Sequence, residues 1–460
     1  MSSQRTLIND LTQGSVMRQL IRFSLPLIAA NALQTGFNLV DMFFVGQFSG
    51  TDALSAVTIG GQLTMLMFSV FLGIATSGQI YVAQAVGAGM RRDINDIIGN
   101  VITMSIIGGG VLMVIIPLAE PVLTLMKTPE AIMDQTVDYL VICSYVNILV
   151  ALYNGLSGIL RGLGDSASPT FFVVVATVVN IVLDYVFVAV FDWGAAGAAW
   201  ATLIGQSAAC IFALVYLFKN RQAFGFDFKL SSLIPKRRHM SVLLRIASPV
   251  TAKSLFISLS MLFVNAQINN LGVLAVAVTG VSHKIQSVML IVSNSMNDAT
   301  ATMVGQNMGA GKLDRVKRTV WCATGFSAVF AAALVVLFLL FPGQIFSLFT
   351  KDAEVIALAG PFMRVAALTV VCFGMMAPYL GLINGVGNTM LNMFIALADG
   401  VIARIALSLL FGYALELGAL GFVLGNCLAG FVSVLGGGIY FLSGKWKNRV
   451  PVVTAGEANG

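Results

Sequence analysis

The sequence predicts an all-α integral membrane protein, with about twelve transmembrane helices in two pseudo-twofold-related six-helix lobes. Three observations predict it. Of 460 residues, 58% are hydrophobic and only 10% charged, far below the roughly 25% charged residues of ordinary soluble chains. Apolar runs of about 20 residues or more, each able to cross a bilayer, recur along the chain. The second half also repeats the first.

The predicted spans fall near 21–46, 53–82, 95–118, 133–160, 170–190, 194–218, 242–269, 273–305, 318–341, 355–384, 389–413 and 417–443. Those at 53–82 and 273–305 hold more polar residues and have softer ends. The first twenty residues are mostly polar and the first apolar run is too long for a cleavable signal, so none is expected. Lys and Arg cluster at the N-terminus and in every second connection: Arg5, Arg18, Arg22, Arg91, Arg92, Arg161, the run at 236–238, the segment at 311–318, and Lys445, Lys447 and Arg449. The intervening connections offer only Lys127 and Lys351. Both termini are therefore expected on the cytoplasmic face of a prokaryotic plasma or inner membrane. This asymmetry accounts for the net charge of +6, so no nucleic-acid partner is expected. Lipid is the surrounding solvent.

The duplication is read from four places. IRFSLP (21–26) matches LRIASP (244–249), and AQAVGAGMRRD (83–93) matches GQNMGAGKLDR (305–315). RGLGD (161–165) matches NGVGN (384–388), and GAAG (194–197) matches GALG (418–421). A near-constant offset of 222 to 224 residues marks an internal repeat. The expected division is a first lobe at 1–218, a cytoplasmic linker at 219–241, a second lobe at 242–445 and a cytoplasmic tail at 446–460. An even number of spans per lobe gives both lobes one orientation, related by an axis along the membrane normal.

The repeat also serves as an internal control. Asp41 lies deep in the first span, where a carboxylate costs about 2.5–3.5 kcal/mol even on lenient insertion scales. Its counterpart is Val264, or Asn265 with a one-residue slip. Asn180 and Asp184 in the fifth span correspond to Ala403 and Leu407, and Thr202 in the sixth corresponds to Asn426. A fold requirement shared by both lobes does not explain acids held by one alone. Asn180 and Asp184 are four apart and share a helix face. With Asp41 they would offer two carboxylates, an amide oxygen and a hydroxyl, groups that suit a hard monovalent cation. Two close carboxylates also make a proton acceptor. The candidate coupling site is therefore Asp41, Asn180, Asp184 and Thr202, holding H⁺ or Na⁺, with no other cofactor.

The second lobe has private charges of its own. Lys253, Asp298, Asp399 and Arg404 align with Ala30, Thr76, Ala176 and Ile181. They form a second candidate polar site, read chiefly as compensating ion pairs. Asp399 and Arg404 are five apart, so they do not share one helix face and need partners on other helices. The five cysteines all fall within predicted spans without metal-ligand spacing; they read as buried apolar thiols. The two Gly-Ala-Gly sequences lack the GxxxxGK[ST] of a phosphate-binding loop and read as turn and close-packing residues. Pro26 and its counterpart Pro249 are candidate kinks, Pro26 the candidate hinge. No catalytic cluster stands out, so an enzyme is not expected.

LPLIAANALQTGFNLVDMFFVGQ, the repeated Gln-x-x-Gly-Ala-Gly and GILRGLGDSASPTFFVVVATVVNIVLDYVF together resemble the multidrug and toxic compound extrusion (MATE) transporters over roughly residues 12–445. The resemblance implies antiport of organic cations or amphipathic drugs. In the DinF-like branch it implies a first-lobe cation site, whose roles fall on Asp41, Asn180, Asp184 and Thr202. The NorM-like branch also uses acids in the seventh and tenth spans. Here Ile257 and Ser258 stand near the first of those places, and PYLGLINGVG (378–387) holds no acid, which favours the DinF-like branch. A monomer is expected. The alternative reading is a lipid or lipid-linked-sugar flippase of the same superfamily, which would call for a more cationic cavity.

Overall fold

Lipid offers the backbone no hydrogen-bond partner, so a spanning segment must satisfy its own amides and carbonyls, and helices do so. The computed structural model describes residues 8–126 and 128–455, omitting the side chains at 38, 39, 91, 92 and 455; among the described residues there is no strand. Arg5, Lys127, the side chains of Arg91 and Arg92, and tail residues 456–460 thus lie outside the description. The helices are α1 (Val16–Phe48), α2 (Gly50–Gly87), α3 (Arg91–Leu112), α4 (Ile115–Leu125), α5 (Glu130–Tyr145), α6 (Asn147–Gly162), α7 (Ala167–Asp184) and α8 (Gly194–Lys219). Short turns α9 (Arg221–Phe224) and α10 (Leu230–Leu233) follow. Then come α11 (Arg237–Asn269), α12 (Val273–Gly309), α13 (Leu313–Leu340), α14 (Pro342–Ser347), α15 (Ala353–Ala357), α16 (Ala359–Gly385), α17 (Thr389–Leu397), α18 (Arg404–Leu409) and α19 (Gly418–Leu442).

Among the described residues, ten helical stretches are long and apolar enough to cross a membrane, two of them, Ala167–Val190 and Thr389–Ala414, running through π-helical turns. An eleventh is added if α5 and α6, bent by 47° at their junction, form one span. α1, at 33 residues, holds the first span read from the sequence. The span read at 95–118 breaks after Leu112, and the one read at 133–160 is the bent pair. The fifth span continues beyond Asp184 as a π-helical turn, Tyr185–Val190. Its repeat counterpart holds two such turns, Ala398–Ala403 and Leu410–Ala414.

The chain divides into two compact units. Unit 1 comprises residues 8–10, 25–251 and 452–455; unit 2 comprises 11–24 and 252–451. Each unit thus takes the start of the helix that continues into the other: α1 changes unit after Ser24 and α11 after Thr251. Pro26 and Pro249 stand within α1 and α11, two residues from these changes. In unit 1, α2 packs on α3, α5 and α6, and α7 on α8. In unit 2, α12 packs on α16 and α13, and α19 on α16 and α18.

The repeat is legible in the glycines. A Cβ on Gly162 would stand 2.7 Å from the Gln79 carbonyl, and one on Gly385 2.7 Å from the Ala301 carbonyl. Glycine is what lets α6 approach α2, and α16 approach α12, this closely. Gly89 and Gly311, each ending a Gly-Ala-Gly, have φ of +70° and +68°. They stop α2 and α12 by entering the left-handed region.

The linker is fastened to unit 1 by one polar face of α3. Asn95 Nδ2 donates to Ser232 Oγ (3.1 Å) and Asn100 Oδ1 accepts from the Lys236 amide (2.9 Å). Thr103 donates to the Leu233 carbonyl, Asp96 pairs with Lys236 (2.6 Å), and Gly99 lies against the Ser232 carbonyl. The repeat positions in α13 are Lys317, Arg318, Trp321, Cys322 and Gly325, so this face is private to the lobe that carries the linker. Phe224 and Phe226 complete the attachment from within the unit 1 core.

Candidate cation-binding site

Asp41 on α1 and Asn180 and Asp184 on α7 are buried, at 7%, 0% and 0% exposure. The carboxyl groups of Asp41 and Asp184 lie close to each other. The Asn180 amide fits its surroundings with its nitrogen toward Asp184 Oδ2 (2.8 Å) and its oxygen accepting from the Thr202 backbone N–H (3.2 Å). Thr202, on α8, is thus joined to the group through its backbone, and its side chain is half-buried. The spacing of four gives the Asn180–Asp184 contact directly.

Asp41 Oδ1 and Asp184 Oδ1 are both buried without a hydrogen-bond partner. An unsatisfied buried oxygen is costly, and two carboxylates in contact repel. The pair is therefore suited to hold a proton between its members or to accept a hard cation through its free oxygens. The amide of Asn180, turned over, would add a third oxygen.

Tyr139 and Cys143, one turn apart on α5, lie close to the acids. Sequence reasoning missed both. Yet the repeat held the signal: at an offset of 223, Tyr139 falls on Phe362 and Cys143 on Ala366, so the hydroxyl and thiol are also private to the first lobe. They belong to a cluster with Val45, Ala53, Ala56, Val57 and Val188. The counterpart place in unit 2 is apolar: Val264 packs with Ile268 and Phe422. Thr202, Gln34, Phe37, Tyr153, Thr177 and Gln206 are among the residues lining a narrow crevice.

The second candidate group divides. Lys253 donates to Asn392 Oδ1 (3.1 Å), whose amide nitrogen donates to Asn384 Oδ1 (2.7 Å). Asp399 accepts from Ser433 (2.6 Å) and pairs with Arg404 (3.5 Å). The expectation that Asp399 and Arg404 cannot meet on one helix is corrected. The turn between them is π-helical, and its i to i+5 periodicity brings residues five apart onto one face. Asp298 lies partly buried on α12. Pro26 sits within α1, and its carbonyl accepts from the Thr170 hydroxyl (2.8 Å).

A helical membrane protein built as a repeat, with a pair of buried acids close together in its first lobe, defines a class of secondary transporter, and comparison with known proteins gives the family. The MatE family model matches residues 26–186 and again 249–410. The chain belongs to this family of multidrug efflux transporters, whose members are transporters and not enzymes. It is 30% identical to the probable multidrug resistance protein YoeA of Bacillus subtilis, over 81% of this chain and 82% of that one. It is 25% identical to an FAD transporter of Shewanella oneidensis, over 88% and 90%. A solved MATE structure in the straight conformation superposes with a TM-score of 0.89 at 22% identity, covering 100% of both chains. This likeness shows the fold: an all-α membrane protein with twelve helices in two lobes.

Proposed function

We propose that this chain is a secondary active antiporter that exports organic cations or amphipathic drugs in exchange for H⁺ or Na⁺ held by Asp41, Asn180, Asp184 and Thr202. The observation that carries the reading is the pair of buried carboxyls in contact, each with an unsatisfied oxygen. Occupancy by a cation relieves the repulsion of the acids and favours one packing of unit 1, while cargo favours another. Two ligands with opposite preferences for two conformations exclude each other reciprocally, which is antiport. Solved relatives described as straight and bent support such a change in this fold. The absence of acid near Ile257 and in 378–387 supports assignment to the DinF-like branch. The Lys/Arg asymmetry supports cytoplasmic termini, and the protein works as a monomer in the plasma or inner membrane.

The test is efflux of a fluorescent organic cation from proteoliposomes under a Na⁺ or an H⁺ gradient imposed separately. One gradient drives efflux in the wild type, and Asp41→Asn abolishes it. Wild-type efflux by purified Asp41→Asn under either gradient overturns the reading. A second reading, export of an anionic cargo, draws support from Arg404 Nε, buried without a partner in unit 2, and from the FAD transporter relative. Competition of efflux by FAD, absent with the organic cation alone, would favour it.

A further inference from the structure

The repeated Gln-x-x-Gly-Ala-Gly has no part in the cation site, yet its glutamines are placed alike. Gln84 and Gln306 are both fully buried, at 0% exposure. Gln306 Oε1 accepts the backbone N–H of Leu11 (2.8 Å), and Gln84 Oε1 accepts the backbone N–H of Val452 (2.6 Å). Leu11 and Val452 are distant in sequence and have one property in common. Each is the first residue after the chain passes from one unit into the other.

The chain makes this passage four times, after Asp10, Ser24, Thr251 and Pro451. The middle two passages are helical and carry Pro26 and Pro249. The outer two carry the glutamine bonds. Within unit 2, Leu11–Gly14 is held further: Arg315 donates to the carbonyls of Leu11 (3.1 Å) and Gly14 (2.8 Å), and Lys312 to that of Thr12 (2.9 Å). Within unit 1, Asn9 donates its amide N–H to the Leu163 carbonyl (3.0 Å) and its side-chain nitrogen to that of Gly164 (2.8 Å). Val453 is buried in the unit 1 core. A buried amide side chain is costly unless its hydrogen bonds are made. A leucine at either glutamine position would pack without that cost, so the amide is explained by what it holds.

We infer that the motif is a crossover clamp, in which Gln306 and Gln84 are positioning residues that pin the two terminal passages. Any rearrangement between the units must then be taken up in α1 and α11, at the prolines. The clamp is independent of which ion or cargo is moved.

Gln306→Met and Gln84→Met remove the acceptor and keep the length; Gln→Glu keeps an acceptor; a stop after Pro451 removes Val452, whose N–H Gln84 accepts, and leaves the glutamine intact. Three quantities are read: amide exchange at 8–14 and 450–455, the distance distribution between spin labels on the two lobes, and turnover at saturating cargo. Each Met variant is expected to speed exchange of its own segment at least tenfold and to broaden the label distances. Turnover falls at least fivefold at unchanged half-saturating cargo, and Glu restores it. The truncation reproduces the broadened label distances of Gln84→Met. Faster exchange with wild-type distances overturns the inference, as does a truncation that leaves the label distances of the wild type unchanged. Exchange and distances need no cargo, so a wild type without efflux defeats the antiport reading alone.

Discussion

The ring of Tyr139 lies over the Cα of Gly60, so close that a Cβ there would stand 2.6 Å from Cδ1 of the ring. Glycine on α2 thus makes room for the phenol of Tyr139 beside the acid pair. Gly60→Ala is expected to displace the ring, cost about 1–3 kcal/mol as overpacking, and weaken cation binding. Gly61, next along the helix, has nothing within 4 Å of its Cβ position. Gly61→Ala should stabilise by about 0.5–1 kcal/mol through helix propensity and leave binding alone. Thermal unfolding with and without cation, on both variants, checks the contrast.

Tyr139→Phe copies the second-lobe residue Phe362. It keeps the volume and removes the hydroxyl, so the fold should hold while cation affinity falls by roughly tenfold, about 1.4 kcal/mol. Calorimetric titration in detergent reads this directly. Leu407→Asn, which places an amide at the repeat equivalent of Asp184, should lower stability and leave cation affinity unchanged.

Asp399 is 6% exposed and its guanidinium partner Arg404 nearly as buried, at 11% of its side chain. Arg404→Met leaves a buried carboxylate with Ser433 and Lys253 and without its bonded cation, at an expected cost of about 3–5 kcal/mol. Asp399→Asn combined with Arg404→Met removes both charges and should recover most of that loss. A double-mutant cycle on melting temperature measures the coupling.

The linker offers a test in acid. Asp227 Oδ1 accepts from the Lys229 amide (3.1 Å) and the Ser232 hydroxyl (2.8 Å). These bonds hold its carboxyl below the usual carboxylate range. A depressed acid contributes to folding above its unfolded value near 4 and loses the contribution as pH falls through the folded one. Proteolysis within 226–236 should therefore accelerate below about pH 4, and Asp227→Asn should remove that dependence. Gly99→Ala, whose Cβ runs into the Ser232 carbonyl, should release the same segment at every pH.

A cysteine placed at Leu230, which is exposed, should resist an impermeant thiol reagent in intact cells and react after lysis. Labelling in intact cells would reverse the proposed orientation.

Composition and hydropathy set the membrane class, because only long apolar helices solve the backbone problem in lipid. The repeat was legible because equal offsets align glycines, prolines and glutamines that do the same work in each lobe. The Asn180–Asp184 contact followed from helical spacing, which is local. The meeting of Asp41 with Asp184, the phenol of Tyr139, the seating of the linker on α3 and the capture of Leu11 and Val452 were decided only by tertiary structure. In a membrane, core and lipid are equally apolar, so hydropathy does not say which way a helix face turns or at what depth it sits. The Asp399–Arg404 pair was misread for a related reason. Sequence gives the residue count between two side chains, but whether five residues make a turn depends on a π-helical winding that packing selects.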